Sequence, residues 1–289
     1  MEIAIISGKG GTGKTSVAAA LVSLLKNIVL VDADVDASNL YLVVSPENYR
    51  EEVYVSGFTA AIDYDICTSC GLCESYCRFD AIHYKNERFE ILETSCDGCK
   101  LCSRVCPNHA IAMIPSNKSR WFEGDISQGV MFHARLSPGE ENSGRLVQII
   151  LDEAKIKARK HAFNHIIIDG PPGTGCPVIS AITGVDRVLI VTEPSKSAFH
   201  DLQRVWELTQ QFSIPAYVLI NKFDLYETLT DEIEIWCNNH SVTVVGKIPF
   251  DKIVVEALIK CQSVVEYNPH SNVSAVLRSS INKLIYVNI

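Results

Sequence analysis

The sequence lacks the features of a membrane, secreted or nucleic-acid-binding protein. No run reaches eighteen apolar residues, which is about the length that a membrane-spanning helix requires. The first residues predict a buried strand, and no basic segment followed by an apolar one marks a secretory signal. Basic residues form no cluster and the formal net charge is −8, which argues against a partner bound through nucleic-acid phosphates. These absences predict a cytoplasmic protein that binds neither membrane nor nucleic acid.

The histidines show no paired ligand spacing either, whereas cysteine is abundant. Eight of the eleven cysteines fall in two runs with the spacing C-x2-C-x2-C-x3-C. The runs are Cys67, Cys70, Cys73 and Cys77, followed by Cys96, Cys99, Cys102 and Cys106. The apolar pairs that follow them, Ala81-Ile82 and Ala110-Ile111, repeat at the same offset of 29 residues. Because ligands and apolar residues repeat together, the pattern indicates a duplicated unit.

This spacing resembles the ligand run of bacterial two-cluster ferredoxins, and Pro107 follows the last cysteine as in that pattern. There the fourth cysteine of each run ligates the other cluster, so the resemblance implies two [4Fe–4S] clusters with crossed ligands. One cluster would take Cys67, Cys70, Cys73 and Cys106, and the other would take Cys96, Cys99, Cys102 and Cys77. Structural zinc is the alternative, since thiolates also bind zinc.

Three cysteines lie outside the runs. Cys237 and Cys261 fall in helical patterns and are predicted to be packed thiols. Cys176 has two open interpretations, a structural thiol and a labile-cluster ligand or redox sensor.

Strand and helix patterns alternate along the rest of the chain. Continuous β-branched runs predict strands buried on both faces, as in a parallel sheet. We therefore predict a doubly wound, mainly parallel α/β fold over residues 1–55 and 117–289, interrupted by an inserted ferredoxin domain over residues 56–116. Residues 117–140 give no clear pattern. An apolar stripe near the C-terminal end is poor in basic residues, so it is predicted to pack against the sheet and not to bind membrane.

A glycine-rich loop after the first predicted strand satisfies the Walker A pattern, Gly8-x4-Gly13-Lys14-Thr15. In such a loop backbone N–H groups surround phosphates, the lysine contacts the β- and γ-phosphates, and the hydroxyl binds Mg²⁺. A later strand, Ile166–Ile168, ends in Asp169, as a Walker B element does, so Asp169 is a second candidate for holding Mg²⁺. The loop residues predicted to bind nucleotide are Gly8, Lys9, Gly10, Gly11, Thr12, Gly13, Lys14, Thr15 and Ser16.

The second lysine of the loop, Lys9, makes it resemble the deviant Walker A motif of the MinD/ParA family of P-loop ATPases, which also includes Mrp-like iron–sulphur carriers and the nitrogenase iron protein. The resemblance implies an ATP-bound sandwich homodimer in which Lys9 reaches the nucleotide of the partner subunit. It also implies that Asp34 helps Thr15 and Asp169 to hold Mg²⁺ and orients or activates the attacking water, and that the Gly173 N–H senses the γ-phosphate. We therefore expect Lys9, Lys14 and Asp34 to be catalytic.

The identity of the base stays open. Asn221-Lys222-Phe223-Asp224 has the N-K-x-D form that reads guanine in many GTPases. The loop as a whole resembles the MinD/ParA family, in which an asparagine contacts adenine, so ATP is favoured and GTP is the alternative. Asn221 and Lys222 are predicted nucleotide-binding residues in either case.

These motifs together support a main hypothesis and two alternatives. In the first, ATP-driven dimerisation gates electron transfer through the two clusters to an unknown redox partner. In the second, the protein is an ATP-dependent iron–sulphur cluster carrier or a maturation factor for a metalloenzyme. The third, a MinD-like positioning ATPase with structural clusters, is disfavoured because the chain has no basic amphipathic tail.

Overall fold

The computed structural model describes residues 1–55, 57–138, 140 and 143–286, so Ser56, the predicted first residue of the insertion, lies outside the described residues. The strands are β1 (Glu2–Ser7), β2 (Ile28–Asp32), β3 (Glu47–Tyr54), β4 (Gly57–Ile62), β5 (Ile82–Lys85), β6 (Arg88–Ile91), β7 (Ile111–Ser116), β8 (Ser119–Ile126), β9 (Gly129–Arg135), β10 (His165–Pro172), β11 (Arg187–Thr192), β12 (Ala216–Asn221) and β13 (Thr243–Ile248).

The α-helices are α1 (Lys14–Leu24), α2 (Tyr41–Val44), α3 (Leu72–Ser75), α4 (Leu101–Val105), α5 (Ser143–Lys160), α6 (Cys176–Ile182), α7 (Lys196–Gln211), α8 (Glu227–Asn239), α9 (Ile253–Ile259), α10 (Val264–Tyr267) and α11 (Asn272–Tyr286). Two short 3-10 helices span Glu93–Ser95 and Phe223–Leu225. No helix in the described part of the chain has both the length and the apolar character needed to cross a bilayer.

One nine-stranded sheet dominates the fold, in the order β13-β12-β11-β1-β10-β2-β9-β8-β3. Every neighbouring pair from β13 to β9 in this order is parallel. The central strands are continuous apolar runs and β2 and β11 are buried along their whole length, which is the composition that a sheet covered on both faces requires. The predicted mainly parallel α/β fold is confirmed.

Strand β9 was not predicted, and it pairs in parallel with β2 from Ile28↔Gly129 to Asp32↔His133. Gly129 is required by this pairing, because a Cβ atom there would lie 1.9 Å from the carbonyl oxygen of Ile28. Glycine and mixed aromatic residues obscure the periodicity of this segment, and the pairing with β2 makes it a strand.

The C-terminal helix α11 packs into the main core, as predicted. Val273, Leu277, Ile281 and Leu284 are at most 3% exposed and belong to one cluster with α1 and with alternate residues of the central strands. This stripe is therefore part of the core.

The chain divides into two compact units. The first comprises Met1–Glu51, Phe122–Ala134 and Gly144–Ile289, and the second comprises Glu52–Trp121 and Arg135–Ser143. The second unit contains both cysteine runs and two antiparallel strand pairs, β4–β7 and β5–β6. Its small core contains Ala60, Cys73, Ile82, Phe89 and Ile111.

The cysteines outside the runs differ in exposure. Cys237 is completely buried, as predicted, and burial raises the pKa of its thiol to about 12. The prediction for Cys261 was wrong. Cys261 is exposed and has a left-handed backbone (φ 53°) just after α9, because the chain turns there and does not continue the helix. Cys176 is exposed at the first residue of α6.

Candidate functional site

The glycine-rich loop connects the end of β1 at Ser7 with the start of α1 at Lys14. Two of its glycines are required by close contacts. A Cβ atom on Gly8 would lie 2.2 Å from Cβ of Asp201, and one on Gly13 would lie 2.4 Å from Nδ2 of Asn221. The loop is thus held closely between α7 and the end of β12, with backbone N–H groups at the N-terminal end of α1, where an anion is favoured.

A cavity of about 620 Å³ opens at this loop. Ligand pockets of small molecules and cofactors commonly measure about 300–1,000 Å³, so the cavity has the size for a nucleotide. It lies at the carboxyl ends of parallel strands, where open α/β sheets bind ligands. The lining residues are Gly10, Gly11, Gly13, Lys14, Thr15, Ser16, Asp34, Asp36, Ala37, Asn39, Pro171, Pro172 and Pro177.

Ser7 holds the loop lysine in this structure. Nζ of Lys14 donates to Oγ of Ser7 at 2.9 Å, and Oγ of Ser7 donates to the carbonyl oxygen of Lys9 at 2.6 Å. Lys14 is 7% exposed, and this burial lowers the pKa of its ammonium group, while the nearby carboxylates act in the opposite direction. A buried cation with acids on one side and an open cavity on the other is suited to binding phosphate.

The three carboxylates after β2 have different surroundings. Asp32 is buried and accepts hydrogen bonds from the backbone N–H groups of Asp34, Asn39 and Leu40 and from the Ser38 hydroxyl. Burial raises the pKa of Asp32 to about 6. Asp34 and Asp36, by contrast, line the cavity. Asp32 therefore shapes this loop, while Asp34 and Asp36 both face the cavity, and the expected role of Asp34 stays a prediction.

Asp169 is buried beside Thr15, and its Oδ1 atom has no hydrogen-bond partner among the described residues. Burial and the neighbouring Asp32 raise the pKa of Asp169 to about 8. A buried carboxylate oxygen without a partner is costly, and a divalent cation would satisfy it. The arrangement therefore fits Mg²⁺ held by the predicted residues Thr15, Asp34 and Asp169.

Lys9 contacts residues of its own chain. Its Nζ atom lies 2.8 Å from Oε1 of Glu193, and it also donates to Oγ of Ser195 at 3.1 Å. Glu193 contacts Lys222 through its other oxygen, Oε2, at 2.9 Å. Burial alone would raise the pKa of Glu193, but the hydrogen bonds and charges of the two lysines hold it below its usual value.

The predicted phosphate sensor, Gly173, and the N-K-x-D motif make hydrogen bonds within the chain near the glycine-rich loop. The N–H group of Gly173 donates to the carbonyl oxygen of Ser7 at 2.8 Å, so it is engaged within the chain. Nδ2 of Asn221 donates to the carbonyl oxygen of Thr12 at 2.8 Å. Asp224, the acid of the N-K-x-D motif, accepts the N–H of Phe250 at 2.7 Å. Asn221 and Asp224 therefore each fasten a loop through a contact within the chain.

The cysteine runs enclose two separate cavities in the second unit. One is lined by Cys67, Cys70, Cys73 and Cys106, and the other by Cys77, Cys96, Cys99 and Cys102. Each cavity thus takes three cysteines from one run and the fourth from the other. No three His, Cys, Asp or Glu side chains in the described ranges are grouped closely enough to hold a single metal ion.

The backbone of the two runs repeats at the same 29-residue offset as the sequence. Left-handed residues occur in three matching pairs, Ser69 with Gly98, Gly71 with Lys100, and Asp80 with His109. The N–H of Ala81 points to Sγ of Cys77 at 3.4 Å, and the N–H of Ala110 to Sγ of Cys106 at 3.3 Å. The duplication inferred from sequence is therefore present in the local structure, including the donor to the fourth cysteine of each run.

Sequence reasoning missed Ser7 and Glu193. Both lie at or just after the carboxyl end of a parallel strand, β1 for Ser7 and β11 for Glu193. That position is where open α/β sheets carry functional residues, and it was the signal that could have identified them.

The comparisons with known proteins agree with this geometry. The family model described as the CobQ/CobB/MinD/ParA nucleotide binding domain matches residues 3–264. An uncharacterized protein of Methanocaldococcus jannaschii is 33% identical over 293 residues, which cover 98% of this chain and 96% of the relative. An iron-sulfur cluster carrier protein of Pyrococcus horikoshii is 22% identical over 277 residues, covering 89% of this chain and 76% of the relative.

The fold also matches a solved structure. The septum site-determining protein MinD of Pyrococcus horikoshii, complexed with Mg-ADP, superposes with a TM-score of 0.59 at 19% identity and covers 99% of this chain and 96% of its own. The family model and the loop between β1 and α1 identify the same class of nucleotide-binding protein. This chain therefore belongs to the CobQ/CobB/MinD/ParA nucleotide-binding family and is a P-loop ATPase of the MinD/ParA type.

Proposed function

We propose that this ATPase uses ATP-driven homodimerisation to gate electron transfer through two [4Fe–4S] clusters to a redox partner protein. The observation that carries the proposal is the pair of cavities, each lined by four cysteines drawn from both runs. Residues 56–116 would then form an inserted ferredoxin domain.

The cysteine cavities fit a polynuclear cluster better than a single ion. The four thiolates of a [4Fe–4S] cluster bind four different iron atoms, so they surround a space and do not converge on one point. Cys77 and Cys106 each receive a backbone N–H at the sulphur, and such hydrogen bonds are one way in which proteins tune cluster potential. The clusters would supply one-electron storage, and the cysteines that line the two cavities would hold them.

The nucleotide roles follow from the cavity at the glycine-rich loop. Lys14 would exchange Ser7 for a phosphate oxygen, and Thr15, Asp34 and Asp169 would hold Mg²⁺. We propose ATP as the nucleotide and GTP as the alternative. The bond from Phe250 to Asp224 supports ATP, because it gives the acid of the N-K-x-D motif a role in holding its loop without guanine.

Dimerisation through Lys9 provides the first test. We expect Lys9→Ala to abolish ATP-dependent dimerisation and to reduce ATP hydrolysis by roughly 100-fold or more, because a charge that contacts the transferred phosphate is lost. Nucleotide binding by the monomer should persist, since Lys14 is intact. The measurements are sedimentation velocity with a non-hydrolysable ATP analogue and phosphate release.

The matched control for this test is Lys26→Ala, which removes an exposed lysine beyond the other end of α1. It should behave as the wild type. A Lys9→Ala protein that still dimerises with ATP would exclude the sandwich arrangement.

The alternative function is ATP-dependent delivery of clusters, or assistance in the assembly of a metalloenzyme. It is supported by the relative named an iron-sulfur cluster carrier protein. Anaerobic incubation with an apo-ferredoxin acceptor separates the two functions. We expect both clusters to stay bound when ATP is added, while electron transfer to an artificial acceptor becomes faster. ATP-triggered movement of iron to the apo-acceptor would instead establish the carrier function.

A further inference from the structure

Glu193 lies between two lysines because of the strand order of the sheet. The order β12-β11-β1 places the loop after β11 between the loop after β1 and the loop after β12. Glu193 is the first residue after β11, Lys9 belongs to the loop after β1, and Lys222 directly follows β12. A side chain at this position can therefore reach both neighbouring loops.

The contacts divide evenly between the two carboxylate oxygens. Oε1 of Glu193 lies 2.8 Å from Nζ of Lys9, and Oε2 lies 2.9 Å from Nζ of Lys222. The side chain of Glu193 is 18% exposed, and those of the lysines are 31% and 29% exposed, so the pairs are partly withdrawn from solvent. Ion pairs in such positions are screened less than those on an open surface.

Lys9 is held by more than one acceptor. Besides Glu193, its Nζ atom donates to Oγ of Ser195 at 3.1 Å and to Oγ of Ser197 at 3.4 Å. An ammonium group has three donors, and here all three find acceptors in the same chain. Lys9 must give up these contacts before it can reach a nucleotide outside its own subunit.

Lys222 also contacts the glycine-rich loop. Its Nζ atom donates to the carbonyl oxygen of Gly11 at 3.3 Å while it pairs with Glu193. Lys222 has a left-handed backbone (φ 55°), which orients it at the turn after β12. The contact between Glu193 and Lys222 can persist when Lys9 leaves, because each lysine uses a different oxygen.

We propose that Glu193 is a positioning residue of the ATPase: it retains Lys9 within its own subunit until the dimer forms, and so sets the ATP concentration at which dimerisation occurs. This inference rests on the proposed function of Lys9 as the cross-subunit lysine. Glu193 thereby acts on the reaction through Lys9, without contacting the nucleotide itself.

The test is Glu193→Gln in the full-length protein. Glutamine keeps the size of the side chain and one oxygen acceptor, but it removes the charge that holds Lys9. We expect the ATP-analogue concentration for half-maximal dimerisation to fall by roughly three- to tenfold, the range of partly exposed, charge-assisted contacts. Sedimentation velocity across an ATP-analogue titration measures the midpoint.

Glu193→Gln could also lower the midpoint by changing the affinity of the monomer for nucleotide. Repeating the substitution in a Lys9→Ala background measures that effect by itself. There the protein stays monomeric, and Glu193→Gln should change the Kd for the ATP analogue by less than about twofold, since only the Lys222 contact is affected. Glu234→Gln is the matched control, because Glu234 also pairs with a lysine, Lys247, at 2.9 Å, with a side chain that is 31% exposed. It should leave the dimerisation midpoint unchanged.

The outcomes distinguish the inference from the function on which it rests. Suppose that the wild-type protein dimerises with ATP. The role of Glu193 alone is then overturned if Glu193→Gln leaves the dimerisation midpoint unchanged, raises it, or lowers it only as much as it lowers the Kd of the monomer. A wild-type protein that does not dimerise with ATP overturns the dimer proposal and this inference with it. A lowered midpoint with an unchanged monomer Kd supports both.

Discussion

A protein carrying Cys67→Ser together with Cys106→Ser is expected to retain about half of its iron, roughly four atoms of about eight. Both residues line the same cavity, although they are 39 positions apart in different runs. The second cavity keeps its four cysteines, so one cluster can still form. Iron and sulphide analysis after anaerobic reconstitution measures the result.

The informative comparison is Cys67→Ser together with Cys77→Ser. These two residues belong to the same run but line different cavities. Each cavity is then left with three thiolates, and we expect most of the iron to be lost. Cys261→Ser removes an exposed cysteine outside both cavities and should keep the full content. Equal iron in the two double variants would contradict the crossed ligand sets, and stoichiometric zinc in anaerobically purified protein would contradict the clusters.

Asp169→Asn is expected to lower ATP hydrolysis by roughly 100-fold or more and, at the same time, to stabilise the nucleotide-free fold. The carboxylate is buried beside Asp32 and has an unpartnered oxygen among the described residues. Without Mg²⁺ the ionised group is therefore costly, whereas the proposed Mg²⁺ site needs the carboxylate in its ionised form. A neutral amide of the same shape removes the cost and the function together.

The stabilisation should depend on pH in a defined direction. The pKa of Asp169 is about 8 in the folded protein, against an ordinary value of 3.8. Between these values the unfolded chain is ionised while the folded chain holds the proton, so the stability of the wild type falls as the pH rises toward 8. We expect the free energy of unfolding of Asp169→Asn to exceed that of the wild type by about 2–3 kcal/mol at pH 8, and by less at pH 6.5.

Denaturant unfolding without nucleotide at pH 6.5 and pH 8 measures this difference. Asp186→Asn is the control, because Asp186 is an exposed carboxylate that accepts the N–H of Glu2 at 2.7 Å, a bond that an amide oxygen can replace. It should show no pH-dependent gain. A loss of stability in Asp169→Asn at every pH would mean that the carboxylate is satisfied in the free protein.

Much of the fold could be predicted from the sequence because the signals are local. The buried apolar runs of β1, β2 and β11 were enough to predict these strands, and the glycine-rich loop was enough to predict where α1 begins. Strand β9 could not be predicted in this way, because its residues become a strand by pairing with β2. Cys261 was misplaced for a related reason, since a helical pattern does not show where the helix stops.

Some residues of the nucleotide site could likewise be predicted from the sequence, whereas others needed the structure. Lys14, Thr15 and Asp169 were identified from motifs whose spacing reflects local geometry. The different surroundings of Asp32 and Asp34 could be seen only in the structure, because they depend on which carboxylate accepts the backbone N–H groups of the loop after β2. Ser7 and Glu193 likewise gained a role only when their contacts were known.

The sequence by itself determined the two cysteine runs, their repeat, the phosphate-binding loop and the alternation of strands and helices. All of these are patterns between residues close in the chain, and short spacings translate directly into local geometry. Only the tertiary structure placed one carboxylate, Glu193, between Lys9 and Lys222. The place of Cys106 at the cavity of Cys67 was expected from the resemblance to ferredoxins, and the fold is what brings the two cysteines there. These residues are far apart in the chain, and their proximity depends on strand order and packing, which no local spacing encodes.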